Sequence, residues 1–152
     1  VRVVVQRVKR GSVAVAGALC AEIGPGFVVL LGIRTGDTPE AARFLAEKCA
    51  SLRVLEDGEG KMNLSLNDTG GSVIIVSQFT LYGDVRRGNR PGFTDAARQE
   101  EAQPLYELFV RRMRELLGDG RVKTGVFGAM MDVTIVNDGP VTIIIDSPTN
   151  NR

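Results

Sequence analysis

The sequence contains no histidine. That absence removes Ser-His and Cys-His nucleophilic pairs, histidine-based metal motifs and every imidazole general base in one step. Whatever chemistry the chain performs has to come from carboxylates, lysine, backbone groups or the substrate. Cysteine is nearly as scarce. Cys20 and Cys49 lie far apart with no CxxC spacing, which suggests neither a zinc site nor a disulfide framework, and both read as buried thiols. No apolar run approaches the roughly 20 residues of a membrane span. With 19 basic and 18 acidic residues the formal net charge is +1, so the surface as a whole offers no basic field for nucleic acid. No GxGxxG or P-loop spacing follows a strand, and neither a nucleotide cofactor nor a metal is expected.

What is present is an ordinary globular composition, 43% hydrophobic and 24% charged over 152 residues. A chain of about that length buries roughly 70% of its unfolded surface, enough for one domain with a real core. The N-terminal VRVVVQRVKR alternates apolar residues with Arg2, Gln6, Arg7 and Lys9, which predicts a strand rather than a secretory signal, and hence a cytoplasmic protein. Residues 1–9 and 12–16 read as two strands around a Lys-Arg-Gly turn, and 27–33 as a buried strand. Asp37 or Thr38 caps a helix that opens with Pro39, and Leu45, Cys49 and Leu52 form its buried stripe over 39–51. Strands over 53–57 and 72–82 flank a long glycine-containing loop. A second helix over 101–117 carries Leu105, Leu108, Phe109, Met113 and Leu116 on one face and ends at Gly118. Residues 131–136 and 141–146 read as a closing strand pair, and 147–152 as a frayed tail. The expected fold is a single α+β domain over 1–146, with a mostly antiparallel, barrel-like β-sheet and two long helices.

Four segments invite a chemical reading. DGEGKMN, residues 57–63, lacks the ligand spacing of a calcium loop and reads as a glycine-rich hairpin loop. DVRRGNRPGF, residues 84–93, crowds Arg86, Arg87 and Arg90 into one loop; arginine forks bind phosphates, although such runs also occur as plain solvated surface. The loop follows Ser77-Gln78-Phe79-Thr80, a polar cluster ending an apolar strand, whose hydroxyls could equally satisfy strand-end backbone. Lastly, Asn137-Asp138-Gly139-Pro140 interrupts two β-branched runs. A hairpin would be served by Asn-Asp-Gly alone. Proline removes a donor and fixes φ, and a Gly-Pro bond can sit cis for about 0.5–1 kcal/mol.

Together, SQFTL at 77–81, RRGNRPGF at 86–93, FGAMM at 127–131 and NDGPVT at 137–142, with Arg7 in the N-terminal QRV, resemble the D-aminoacyl-tRNA deacylases in order and spacing. The likeness runs from residue 2 to about 146. It implies that family's fold and a homodimer that acts on aminoacylated tRNA, hydrolysing the ester between a D-amino acid and the terminal adenosine and clearing mischarged glycine. It further implies a cis bond at Gly139-Pro140, with the pair reaching into the other subunit's pocket. There two carbonyls turned to one side would meet the α-amino group and leave no room for an L side chain, and Arg7 would hold the pair in place.

The resemblance also implies roles for the remaining motifs. Phe79 and Thr80 would act through backbone groups on the developing oxyanion, where such donors are worth about 3–4 kcal/mol. Ser77 and Gln78 would shape the pocket, Phe127 and Met131 would hold the terminal adenine, and the ribose 2′-hydroxyl of the substrate would stand in for the missing histidine. Plain core packing is the competing role for Phe127 and Met131. Thr80 has no adjacent base, so its hydroxyl is a weak nucleophile. Arg86, Arg87 and Arg90 would contact tRNA phosphates. A related deacylase group keeps its Gly-Pro trans and accepts some L substrates, and sequence letters do not show the isomer. Two readings from other classes compete: a non-catalytic RNA-binding module clamping phosphates with 86–90, for which no RNP, KH or zinc-knuckle motif is present, and a small-metabolite-binding dimer that shares the fold.

Overall fold

Strand β1 (Arg2–Val15) continues through Lys9-Arg10-Gly11, where the sequence predicts a turn. Gly11 provides space rather than a bend: a Cβ on it would lie 2.7 Å from Val28 Cγ2. The chain reverses instead at Ala16 and Gly17, whose φ values of 49° and 79° suit the two-residue hairpin that returns as β2 (Ala18–Ile23). β3 (Gly26–Gly32) pairs antiparallel with the first half of β1, as β2 does with the second. Residues 1–148 are described in this computed structural model.

Thr38 caps α1 (Pro39–Ser51) by accepting the N–H of Ala41 at 3.2 Å, with Pro39 in the first turn where no N–H is needed. β4 (Leu55–Glu56) and β5 (Met62–Leu64) make a small hairpin around the predicted glycine-rich loop. Within it, the backbone N–H groups of Lys61 and Glu59 donate to Asp57 and hold its carboxyl below the usual range. The single turn α2 (Leu66–Thr69) leads into β6 (Ser72–Ser77), which lies parallel to β3. Contact between these two strands begins at Gly26, where a Cβ would fall 1.8 Å from the Ser72 carbonyl oxygen.

The strand expected over 72–82 stops at Ser77, and Phe79–Tyr82 is a tight 3₁₀ turn. α3 (Gln99–Leu117) ends at Gly118 in a positive-φ conformation, as its sequence predicts. β7 (Val122–Thr124) adds parallel to β6 and is too short to show a pattern in sequence. β8 (Asp132–Asp146) is one strand where two were expected, and both of its halves pair with β1 rather than with each other. Asn137-Asp138-Gly139-Pro140 is therefore not a hairpin turn. Gln6 stands opposite Thr142 and Val8 opposite Asn137, so Asp138 to Val141 bulge out opposite Arg7 alone.

The strand order is β2-β1-β3-β6-β7, with β8 paired to β1, in a mixed, barrel-like sheet whose antiparallel pairings predominate as expected. α1 and α3, the two expected long helices, cover one face. There Phe27, Val29, Leu31, Leu45, Cys49, Phe109 and Met113 form the main core. Val8, Val13, Val28, Ile74 and Val76 form a second core. Because β3 is buried on both faces, its sequence is continuously apolar rather than alternating. Arg112 ties the helices together through Glu47, with Nη2 to Oε1 at 2.9 Å.

One further expectation needs correction. Cys49 is buried, but Cys20 is exposed on β2. The expected frayed tail is anchored at its first residue, since the Ser147 N–H donates to the Val1 carbonyl at 2.9 Å; residues 149–152 lie outside the described residues. Among the described residues, no helix is long and apolar enough to cross a membrane.

Candidate active site

The Gln78 N–H donates to the Leu31 carbonyl at 2.8 Å and extends the β3–β6 pairing one residue past Ser77. The chain then folds over Gly32, where a Cβ would meet Leu81, Gln78 and Tyr82 within 3.2 Å. Gln78 heads the 3₁₀ turn but makes no side-chain cap hydrogen bond to it. The first N–H groups of the turn, those of Phe79 and Thr80, therefore have no partner within it. The Gln78 side-chain amide instead donates to Thr80 Oγ1 at 2.9 Å.

The facing wall is the segment after β7. Gly125 N–H donates to the Ile75 carbonyl at 3.1 Å, and a turn closed by Ala129 N–H on the Val126 carbonyl presents Phe127 to Met131. Phe127 rests on Tyr106, ring centroids 5.4 Å apart, and Met131 fills the space left by Gly125. Tyr106 donates its hydroxyl to the Ile75 carbonyl at 3.3 Å, and burial pushes this phenol up to about 12. It is a neutral prop at neutral pH and no base.

Between these walls lies a cavity of about 610 Å³. It brings together Ser77, Gln78, Phe79 and Thr80 with Phe127 and Met131, over an apolar floor that includes Ile33 and Val76. Among the described residues, none lining it carries a titratable side chain. The sequence reading missed Gln99 and Ala97 in the lining, since a glutamine and an alanine at the head of a helix carry no signal of their own. It also left Met130 without a role, whereas Met130 lines the cavity and is 92% exposed.

The other predicted residues lie apart from this lining. Gly139 and Pro140 are exposed on the bulge of β8, and the bond between them is cis. Arg7 is only 4% exposed beneath them. Its Nε donates to the Asp138 carbonyl at 2.9 Å and its Nη1 to the Val54 carbonyl at 2.8 Å. The guanidinium thus grips the residue before the Gly-Pro pair, with Glu56 Oε1 a further 3.6 Å from Nη2.

Asp84 and Gly92 exchange backbone hydrogen bonds of 2.8 Å and close the arginine loop. Arg86 lays its fork on Asp84 at 2.9 and 2.8 Å, holding that carboxyl at about 2. Arg87 and Arg90 are exposed and have no carboxylate partner among the described residues. Phe93 links this loop to the cavity by edge contact with Phe79, centroids 5.2 Å apart at 71°.

A mixed sheet backed by two helices carries a cavity walled by backbone turns and, among the described residues, by uncharged side chains. The sequence profile of the D-Tyr-tRNA(Tyr) deacylase family matches residues 4–146, and the chain belongs to that family. It is similar to the D-aminoacyl-tRNA deacylase of Symbiobacterium thermophilum, 60% identical over 96% of this chain and 95% of the relative. The same holds for the D-aminoacyl-tRNA deacylase of Thermus aquaticus, 58% identical over the same shares. A solved structure described as c-Myc DNA Unwinding Element Binding Protein superposes with a TM-score of 0.93 at 43% identity, covering 98% of this chain and all of that one. A probable eukaryotic D-amino acid tRNA deacylase has the same fold, with a TM-score of 0.83 at 21% identity over 95% and 98% of the two chains.

Proposed function

We propose that this chain, as one domain over 1–146, forms a homodimer that hydrolyses the ester joining a D-amino acid, or mischarged glycine, to the terminal adenosine of tRNA. The observation that carries this reading is a cavity lined, among the described residues, by no titratable side chain but bordered by Phe79 and Thr80, whose N–H groups have no partner within their 3₁₀ turn. Such a site can bind a developing oxyanion but cannot by itself take a proton. Water adds to the ester carbonyl carbon, the oxyanion is met by these N–H groups, and the carbonyl–oxygen bond then breaks. The proton lost by the water reaches the departing 3′ oxygen by way of the neighbouring ribose 2′-hydroxyl. Free amino acid and a tRNA with its 3′-hydroxyl restored are released.

Chiral selection falls to Gly139 and Pro140 of the partner subunit. Their exposure on β8, outside the lining of their own chain's cavity, supports a site completed in trans. Carbonyls facing the α-amino group admit hydrogen where an L side chain would stand, so glycine and D-amino acids enter and L-amino acids are excluded. Phe127 and Met131 hold the adenine by stacking and apolar contact. Arg87 and Arg90, with Arg86 held by Asp84, meet the tRNA phosphates. Such an enzyme proofreads translation in the cytoplasm, with no cofactor.

Incubation with D- and L-aminoacyl-tRNA tests the reading. Loss of ester from the D form alone supports it, whereas retention of tRNA without hydrolysis would make the chain a non-catalytic RNA-binding module. A D substrate whose terminal ribose carries hydrogen at the 2′ position, with its ester on the 3′ oxygen, should bind but not turn over. Full turnover of that substrate would require a protein base and sink the mechanism.

A further inference from the structure

We propose that Gln6 is a positioning residue for chiral selection, holding the Gly139-Pro140 bulge from the face opposite Arg7; this rests on the function proposed above. Gln6 and Arg7 are consecutive in β1, so their side chains leave opposite faces of the sheet. Arg7 grips the bulge through the Asp138 carbonyl. On the other face, Gln6 Oε1 accepts from Thr142 Oγ1 at 2.6 Å and from Asn137 Nδ2 at 2.9 Å.

These two partners are the last residues of β8 in register with β1 on either side of the bulge. Thr142 lies directly opposite Gln6, and that bond alone would be an ordinary cross-strand pair. Asn137 lies opposite Val8, yet its side chain reaches back to Gln6. One oxygen therefore joins the two ends of a four-residue excursion and sets the distance between them. Neither bond is buried, so their contribution to overall stability is small. Their effect falls on the geometry of the bulge, which sets where Gly139 and Pro140 point.

Three measurements on Gln6→Leu and Gln6→Glu test this. Glutamate keeps an acceptor for both donors, and leucine removes it. Gln6→Leu is expected to raise KM for D-aminoacyl-tRNA about tenfold with kcat within twofold, and to increase hydrolysis of the L form, while Gln6→Glu restores both. The thermal midpoint should stay within a few degrees of wild type. Amide hydrogen exchange at Gly139, read without any substrate, should speed up at least threefold in Gln6→Leu and return in Gln6→Glu. Unchanged exchange would overturn the positioning role whatever the enzyme's substrate. Faster exchange with unaltered D/L selectivity would overturn the link to chiral selection, and a loss not restored by glutamate would reduce Gln6 to packing. Absence of D/L selectivity in the wild-type protein is the separate failure of the underlying function.

Discussion

The guanidinium of Arg7 lies directly beneath Gly139: its Nη2 is 3.2 Å from where a Cβ on Gly139 would sit. The same Cβ would come within 3.0 Å of Val141 Cγ2, and the φ of Gly139 is +128°, a conformation that L side chains rarely adopt. Gly139→Ala should cost about 1–3 kcal/mol of stability through backbone strain. Its deacylation of D-aminoacyl-tRNA should fall further than the loss of folded protein explains. Urea denaturation and single-turnover hydrolysis, measured side by side, check both parts.

Arg7 itself binds two carbonyls from one planar fork, which a lysine cannot reproduce. Arg7→Lys should leave the Asp138 or the Val54 carbonyl unpaired, at about 1–3 kcal/mol. Discrimination between D and L substrates should drop with it. A variant with wild-type stability and selectivity would show that the fork is not what holds the bulge.

Thr80 receives a hydrogen bond from the Gln78 amide, and among the described residues lining the cavity none is a base that could activate its hydroxyl. Thr80→Ala should keep activity within about tenfold of wild type, because the group assigned to the oxyanion is its backbone N–H. A fall of about 10⁴ or more, with tRNA binding and folding intact, would make the side chain the catalyst.

The arginine loop separates into Arg86, engaged by Asp84, and Arg87 and Arg90, which are exposed with no carboxylate partner among the described residues. Arg87→Ala with Arg90→Ala should weaken tRNA binding and flatten the dependence of log affinity on log salt, by a slope of about one to two. Arg86→Ala should act mainly by loosening Asp84 and the loop closure, with a smaller change of slope. Filter binding across a salt series distinguishes the two patterns.

Burial pushes the Cys49 thiol from its ordinary value of 9.0 up to about 12. The folded state thus keeps a proton that the unfolded state gives up, so stability is full below about pH 9 and falls as pH rises toward 12. The fall is at most about 1.4 kcal/mol per pH unit from this group. Cys49→Ala should show a shallower alkaline decline in chemical denaturation. In the native protein a thiol reagent should modify the exposed Cys20 and spare Cys49, with both reacting once the chain is unfolded.

Much of this molecule is legible in its residues because the signals are local. Thr38-Pro39 starts α1 by capping chemistry, the stripe from Leu105 to Met113 defines α3, and the apolar run of β3 follows from burial on both faces. The absence of histidine excluded an imidazole base, and the order of SQFT, the arginine loop, FGAMM and NDGP pointed to the family. Local chemistry also misled twice, at Lys9-Arg10-Gly11 and at Asn137-Asp138-Gly139-Pro140, where turn-forming residues lie within continuing strands. Gly11 is required by Val28 across the sheet, and the β8 bulge exists only because β1 pairs on both sides of it. Such constraints come from residues distant in the chain, so no window of sequence contains them. Tertiary structure likewise decided that residues 77–80 and 127–131 face one cavity while Gly139 and Pro140 lie outside its lining. Which surfaces meet is set by how the strands pair and the helices pack, and that is fixed only when the whole chain closes around its two cores.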